Sequence, residues 1–222
     1  AAHSRLREAL DAAGGFVRAI RQDNLFLDGP RGELSAVGAA LRVRVEREDG
    51  ASRVLLTLKS GQVRCGEVIH RAEWECPLPL EVEEVRSEPS RMLALDLGPV
   101  RELRRLWPGL QALCLLGGFT NERRVYRVPL DLPAAVTAGT TTMTTATAGA
   151  ATRVDTEWEL DRAEFSDGSV DYELEVELGG LPSAVGIEAV VAAIRAEVAR
   201  LGVPTIEQPL AKYARFRART QP

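Results

Sequence analysis

The stretch Glu173-Leu174-Glu175-Val176-Glu177 places carboxylates on alternate residues, with bulky apolar residues between them. Side chains of a β-strand alternate between two faces, so the carboxylates share one face and the apolar side chains share the other. The same pattern occurs in Arg42-Val43-Arg44 and Glu73-Trp74-Glu75, and the sign of the charge is constant within each stretch. Any one stretch alone is typical of a solvated strand face. Together they predict a sheet face that carries cations and carboxylates, which suits a site for phosphate and a metal ion.

Hydrophobic periodicity and turn residues predict a chain that is mainly β, with a few helices. We expect strands at Phe16–Leu27, Ala40–Glu48, Arg53–Lys59, Glu67–Cys76, Leu110–Leu116, Arg123–Val128, Thr156–Asp161 and Val170–Leu178. Asp49-Gly50 is a strong hairpin signal between two of these strands. Helices are expected at Ser4–Ala13 and Ser183–Leu201, and four prolines limit any helix within residues 79–109 to a few turns.

Residues 134–153 are almost entirely Ala, Thr and Gly, with no charge until Arg153. Such a tract buries too little apolar surface to offset the entropy lost on ordering, which predicts a loop insertion. The charged-face pattern continues on both sides of the tract. We therefore predict a single domain over residues 1–222, interrupted by this insertion.

The composition excludes several classes of function. The formal net charge of -4 disfavours broad binding to nucleic acid or acidic lipid, because both require a basic surface. Three cysteines without a C-x-x-C pair indicate neither a disulfide framework nor a zinc site, and they favour a reducing, cytoplasmic location. Two histidines make a histidine-based metal site or triad an unlikely choice. No apolar run approaches the roughly 20 residues of a membrane-spanning helix.

The order of several short patterns along the chain resembles the CYTH superfamily, the triphosphate tunnel metalloenzymes. The patterns are Gln22-x-Asn24-x-Phe26-x-Asp28, Arg42-x-Arg44, Leu58-Lys59, Arg71-x-Glu73-x-Glu75, Arg123-x-x-Tyr126, Glu159-x-Asp161, Glu173-x-Glu175 and Lys212-Tyr213. No single pattern is specific, but their order is, and it spans nearly the whole chain. The resemblance is to plant-like or alga-like inorganic triphosphatases, which are related to thiamine triphosphatases.

The resemblance implies an α+β, mainly β fold: an eight-stranded antiparallel tunnel barrel with flanking helices and a polar interior that forms the active site. Members of the family open with a strand bearing E-x-E-x-K, which supplies metal-binding carboxylates. That strand would lie immediately before Ala1 and is absent from this sequence. The expected fold for this chain is therefore the tunnel barrel with its first strand missing.

The resemblance and the residue types together assign roles to the charged residues. Mg²⁺ or Mn²⁺ prefers oxygen ligands, and the expected ligands are Glu173, Glu175 and Asp161, with Glu73 and Glu75 as further candidates. The expected phosphate-binding residues are Arg42, Arg44, Lys59, Arg123 and Lys212. Phosphoryl transfer requires alignment, charge neutralisation and one activated water, and the expected catalytic residues are Glu73, Glu75 and Lys59.

The expected activity is metal-dependent hydrolysis of a small-molecule triphosphate, with inorganic tripolyphosphate as the first choice. Trp74 and Trp158 lie between carboxylates and are predicted to point away from the charged face, so neither is placed to stack on a base or a thiazolium ring. Thiamine triphosphatases of the family carry a Trp three residues before the strand lysine, where this chain has Leu56. Thiamine triphosphate hydrolysis is the second choice and nucleotide cyclisation the third. A module that binds polyphosphate without turnover is the alternative if the first strand is truly absent, and an acidic β-sandwich with solvated charges is a further one.

Overall fold

The computed structural model describes residues 2–65, 68–132, 152–178, 186–204, 206, 208 and 210–220. Its helices are α1 (Ala2–Ala12), α2 (Val82–Ser87), α3 (Gly98–Leu106), α4 (Ile187–Arg200) and α5 (Lys212–Thr220). Two 3₁₀ turns cover Ser35–Val37 and Pro89–Ala94. The described strands are β1 (Phe16–Asp28), β2 (Ala40–Glu48), β3 (Ala51–Cys65), β4 (Val68–Pro77), β5 (Cys114–Leu132), β6 (Thr152–Phe165) and β7 (Val170–Glu177).

The seven described strands form one sheet in the order β4-β3-β2-β1-β5-β6-β7. Strands β1 to β4 pair antiparallel with their sequence neighbours. Asp49 and Gly50 turn β2 into β3 with φ angles of 48° and 82°, as a two-residue hairpin of the primed type requires. The mainly β, antiparallel fold with flanking helices that the sequence predicts is therefore confirmed.

The loop after β1 is organised by the buried carboxylate of Asp28. Its Oδ1 accepts hydrogen bonds from the backbone N–H groups of Gly29 at 2.7 Å and Leu34 at 2.8 Å. Its Oδ2 accepts from the backbone N–H and the hydroxyl of Ser35, at 3.1 and 2.5 Å. One side chain thus replaces the ladder hydrogen bonds that the chain loses where it leaves the strand.

The chain divides into two compact units, and the divisions fall within β1, β5, β6 and β7. The first unit contains residues 1–19, 123–161 and 172–207, and the second contains residues 20–122, 162–171 and 208–222. The single-domain prediction for residues 1–222 is not tested by this division.

Each unit has its own hydrophobic core. In the first unit, α1 and α4 cover β5 and β6, and the fully buried Trp158 lies among Leu6, Leu10, Tyr126 and Val190. In the second unit, the inward apolar side chains of β1 to β3 pack against α2, α3 and the 3₁₀ turn between them. Trp74 packs against this second core. Both tryptophans therefore face cores and not the charged strand face, as predicted.

The second unit also holds a separate aromatic cluster that anchors α5. Phe216 stacks on Phe26 with ring centroids 5.1 Å apart, and Phe119 and Phe165 complete the cluster. The charged side of α5 is held by Asp171, which accepts hydrogen bonds from Arg215 and Arg219, each at 2.8 Å. No helix was predicted at α5.

Two predicted segment boundaries are wrong. The strands expected at 110–116 and 123–128 are parts of one strand, β5, which begins only at Cys114 and continues through Gly117 and Gly118. Gly117 has a φ of +107°, and a Cβ on Gly118 would lie 1.7 Å from the backbone oxygen of Asn24, so glycine is required for this close approach of strands. Residues 152 and 153 belong to β6, not to the Ala/Thr insertion. The rest of that insertion, and the predicted helix start at Ser183, lie outside the described residues.

Candidate active site

The second unit brings the predicted phosphate-binding residues of β2 and β3 onto one face. The register places Arg42 opposite Thr57, and Thr57 opposite Glu75, so one row of polar side chains crosses β2, β3 and β4. Glu75 Oε2 accepts from Arg44 Nη2 at 2.8 Å and from the Thr57 hydroxyl at 2.7 Å, with Arg42 Nη2 at 3.9 Å. Two arginines therefore converge on one carboxylate.

A second row holds the strand lysine. Lys59 lies opposite Glu73, and its Nζ is 2.8 Å from Glu73 Oε2. Burial and the nearby charge of Arg42 lower the pKa of Lys59 to about 8, although Glu73 opposes the shift. Burial would raise the pKa of Glu73, but the charge and hydrogen bond of Lys59 hold it below its usual value. We call Arg42, Arg44, Lys59, Glu73 and Glu75 the clamp cluster.

Glu46 is a member of this strand face that the sequence reasoning missed. It is only 4% exposed, and its Oε1 lies 3.0 Å from Arg44 Nε and accepts from Gln22 Nε2 at 3.0 Å. Its Oε2 accepts from Arg53 Nε at 2.7 Å. Burial opposes ionisation, but these cations hold the pKa of Glu46 below its usual value. The alternation Arg42-x-Arg44-x-Glu46 was the available signal, because it places Glu46 on the face of the arginines.

The first unit gathers three carboxylates around one guanidinium, that of Arg123. Arg123 binds Asp161 in bidentate fashion, with Nε to Oδ1 at 2.9 Å and Nη2 to Oδ2 at 2.8 Å. Its Nη2 also donates to Glu175 Oε2 at 3.0 Å, and its Nη1 forms a short ion pair with Glu159. We call Arg123, Glu159, Asp161 and Glu175 the carboxylate cluster.

The charges of the carboxylate cluster shift each other's ionisation. Burial would lower the pKa of Arg123, but its bonds to Asp161 and the charges of Glu159 and Glu175 raise it above the ordinary value. Burial raises the pKa of Glu159 to about 7, helped by Glu175 and Asp161 and opposed by Arg123. Three carboxylates at close range therefore share one cation, and one of them is close to protonation at neutral pH.

Comparison with known proteins identifies the family. The model of the CYTH domain matches residues 1–188 of the chain. The chain belongs to the CYTH domain family. No curated protein sequence matches this CYTH chain.

Several solved structures resemble this CYTH chain, three of which are described here. One is HpAC1 from Hippeastrum, a candidate adenylyl cyclase with a dominant triphosphatase activity; it is 27% identical, with a TM-score of 0.72 over 99% of this chain and 91% of that one. The second is PH1819 from Pyrococcus horikoshii OT3, 16% identical, with a TM-score of 0.59 over 97% of this chain and 94% of that one. The third is a candidate adenylate cyclase, bh2851, from Bacillus halodurans, 16% identical, with a TM-score of 0.58 over 97% of this chain and 90% of that one. The last two show the shared fold alone.

The predicted metal ligands of this CYTH protein are only partly brought together. CYTH triphosphate tunnel enzymes are generally metal-dependent. Asp161 and Glu175 meet at Arg123, and Glu173 lies two residues from Glu175 on β7, while Leu174 and Val176 pack into the core. The described residues contain no group of three or more His, Cys, Asp and Glu arranged to hold a metal ion. The donors still suit Mg²⁺ chemically, because Mg²⁺ commonly takes only one or two carboxylates and completes its shell with phosphate and water.

The last predicted phosphate ligand of the CYTH chain, Lys212, is the first residue of α5 and not part of a strand. It lies in the second unit, as does the clamp cluster. Its role in phosphate binding stays a prediction. None of the described helices is long and apolar enough to cross a membrane.

Proposed function

We propose that this CYTH protein is a metal-dependent triphosphatase that hydrolyses inorganic tripolyphosphate to phosphate and pyrophosphate. The observation that carries the proposal is the clamp cluster, in which Arg42, Arg44 and Lys59 project from neighbouring strands onto one face. Three cations on adjacent strands can bind more than one phosphate group of a polyphosphate chain, with the arginines able to bond in bidentate fashion. The triphosphatase activity of HpAC1, which is 27% identical, supports the same reaction class.

In this proposal, the cations of the clamp cluster release their carboxylate partners and bind the phosphate groups of the substrate instead. Glu73 and Glu75 retain 39% and 32% side-chain exposure, so both carboxylates can turn towards solvent when a phosphate group takes their place. An arginine can bind a phosphate group through two parallel charge-assisted hydrogen bonds. Arg44 and Lys59 therefore keep anionic partners when they bind the substrate, since unpaired buried charge is costly.

The exchange leaves Glu73 and Glu75 beside the bound phosphate chain, where a carboxylate orients the attacking water. Water attacks the terminal phosphorus, the bond from that phosphorus to the bridging oxygen breaks, and the electron pair leaves with pyrophosphate. The two hydrogens of the water end on the phosphate and pyrophosphate products. Glu173 and Glu175 would hold Mg²⁺ or Mn²⁺, and the chemistry that such an ion would supply is neutralisation of charge on phosphate oxygens.

Tripolyphosphate is preferred over thiamine triphosphate because of where the aromatic and apolar side chains of this region lie. Leu56, at the position of the family's thiamine-associated Trp, is fully buried in the core of the second unit. Trp74 packs against the same core, on the side of β4 opposite Glu73 and Glu75. Among the described residues, neither side chain is placed to stack on a thiazolium ring beside the clamp cluster.

The experiment is phosphate release from tripolyphosphate, thiamine triphosphate and ATP, with Mg²⁺ and with excess chelator. We expect chelator-sensitive release that is fastest from tripolyphosphate. Lys59→Gln and Arg44→Gln should each raise KM by about tenfold, the loss of one charge-assisted bond. The matched control is Arg47→Gln, which removes an exposed arginine that is paired with Asp23 on the opposite face of β2. A preference for ATP, or equal effects of Arg47→Gln and Arg44→Gln, would refute the proposal.

A second candidate function is polyphosphate binding without turnover. The observation that favours it is that Asp161, Glu159 and Glu175 are already paired with Arg123. This function predicts tripolyphosphate binding by calorimetry with no phosphate release, and an affinity that Glu173→Gln leaves unchanged. A loss of metal-dependent release in Glu173→Gln would favour the enzyme.

A further inference from the structure

Arg44 is held from two sides by carboxylates of different exposure. Its Nη2 donates to Glu75, which is one-third exposed, and its Nε lies 3.0 Å from Oε1 of the buried Glu46. A substrate phosphate can displace Glu75 because both compete for the same Nη2 atom. Glu46 approaches the Nε edge instead, as an ion pair in which Nε makes no hydrogen bond within the described part of the chain, so its contact does not compete for that atom.

Glu46 is itself fixed by partners on three strands. Gln22 of β1 donates to Oε1 at 3.0 Å, and Asn121 of β5 donates to Gln22 Oε1 at 2.9 Å. Arg53 of β3 holds Oε2 with Nη2 at 2.6 Å and Nε at 2.7 Å. Gln22, Glu46 and Asn121 are each less than 5% exposed. These buried hydrogen bonds therefore hold the Glu46 carboxylate in a single position.

We infer that Glu46 is a positioning residue that holds the guanidinium plane of Arg44 in the orientation needed to bind a phosphate group of the substrate. The inference rests on the proposed function for the identity of the ligand. Its physical basis is that a guanidinium binds phosphate through donors in a fixed planar fork, so the plane must be set before binding for both bonds to form. Glu46 never contacts the substrate in this account and acts only through Arg44.

The first test uses kinetics to distinguish a positioning role of Glu46 from an effect on the stability of the whole fold. Glu46→Gln keeps the size of the side chain but replaces one oxygen by an N–H donor, which repels either the Arg44 or the Arg53 guanidinium. We expect KM for tripolyphosphate to rise about tenfold with a smaller change in kcat. In an Arg44→Gln background the same substitution should change KM less than about twofold, because coupled residues do not add. Glu48→Gln, which removes the same charge from the next residue on this strand face, is the matched control.

The second test needs no activity. The Nε–H of Arg44 can be followed by ¹⁵N NMR of the full chain and assigned by its absence in Arg44→Lys. We expect a resolved, slowly exchanging signal in the wild type that shifts and exchanges faster in Glu46→Gln. Glu46→Asp, which keeps the charge on a side chain one methylene shorter, should give an intermediate signal and an intermediate KM, and it serves if Glu46→Gln does not fold.

The outcomes are distinguishable from failure of the proposed function. If the wild type neither binds nor hydrolyses tripolyphosphate, the proposed function fails, and the NMR signal of Arg44 still decides the role of Glu46. An unchanged Nε–H signal in Glu46→Gln overturns the inference. So does a KM increase of equal size in the wild-type and Arg44→Gln backgrounds, because Glu46 would then act by another route.

Discussion

Replacing Arg123 by Gln tests the electrostatics of the carboxylate cluster most directly. The guanidinium binds Asp161 through two hydrogen bonds and also contacts Glu159 and Glu175. The Asp161 side chain is fully buried and the Glu159 side chain is 9% exposed. Gln fills part of the volume of Arg but carries no charge. The substitution therefore removes the cation that these two buried carboxylates share.

The size of the effect follows from the burial of the two carboxylates. Removing one partner of a buried ion pair typically costs about 3 to 5 kcal/mol. Arg123 opposes the rise of the pKa of Glu159 to about 7, so its removal raises that pKa further, and proton uptake by Glu159 relieves part of the cost at any pH below the raised value. We therefore expect a loss of about 3 kcal/mol at pH 8, or roughly 6 to 12 °C in Tm for a chain of this length. The loss should shrink as the pH falls towards 6.

The assay is thermal unfolding by circular dichroism at pH 8 and pH 6, with and without Mg²⁺. Arg127→Gln, at an exposed position of the same strand, is the control and should shift Tm little. Mg²⁺ should stabilise Arg123→Gln more than the wild type, because a cation that binds the vacated carboxylates binds only the folded state. A Tm within 2 °C of the wild type at pH 8, or a larger loss at pH 6 than at pH 8, would refute the reasoning.

Three further predictions concern other parts of the chain. Lys59 loses its charge as the pH rises through about 8, so KM for tripolyphosphate should increase between pH 7 and pH 9 in the wild type. In Lys59→Arg, which keeps its charge, KM should stay flat over this range. Steady-state phosphate release measures both. Asp28→Asn should lower the free energy of unfolding by about 2 kcal/mol in urea titrations, because the Asp28 carboxylate accepts four hydrogen bonds. The control Asp131→Asn, at an exposed position, should change the free energy of unfolding little. Trp158→Ala should cost about 3 to 5 kcal/mol in the same titration, and a loss below 1 kcal/mol would contradict its placement in the core of the first unit.

The sequence predicted the faces of the strands better than their contacts. Alternation with period two is a property of the strand itself, so the outward positions of Arg42, Arg44, Glu73 and Glu75 followed from their spacing. The register between strands depends on turns and packing elsewhere. Spacing along the chain therefore does not predict whether Glu75 pairs with an arginine or with a lysine.

The role of Arg123 also could not be predicted from its position on a strand. An arginine on a polar strand face predicts an anion site, and the sequence reasoning assigned it to substrate phosphate. Its anions in the structure are carboxylates of β6 and β7, which lie 36 to 52 residues further along the chain. Helix α5 was missed for a related reason, because its arginines suggest no buried face until Asp171 and Phe26 are placed beside it.

The ion pairs of the clamp cluster give the proposed substrate preference a physical basis. Arginine and lysine side chains that are three-quarters buried or more need anionic partners when no ligand is bound, since unpaired buried charge is costly. Glu73 and Glu75 fill that need. A single phosphate group in the place of Glu75 meets the two arginines and leaves Lys59 paired with Glu73. A tripolyphosphate chain presents several anionic groups along its length and engages the arginines and Lys59 together, so the binding free energy of each exchange adds within one ligand. Because the cations are paired with Glu73 and Glu75 when no ligand is bound, the proposed site would favour longer phosphate chains. This preference needs no contact to a base or a thiamine ring.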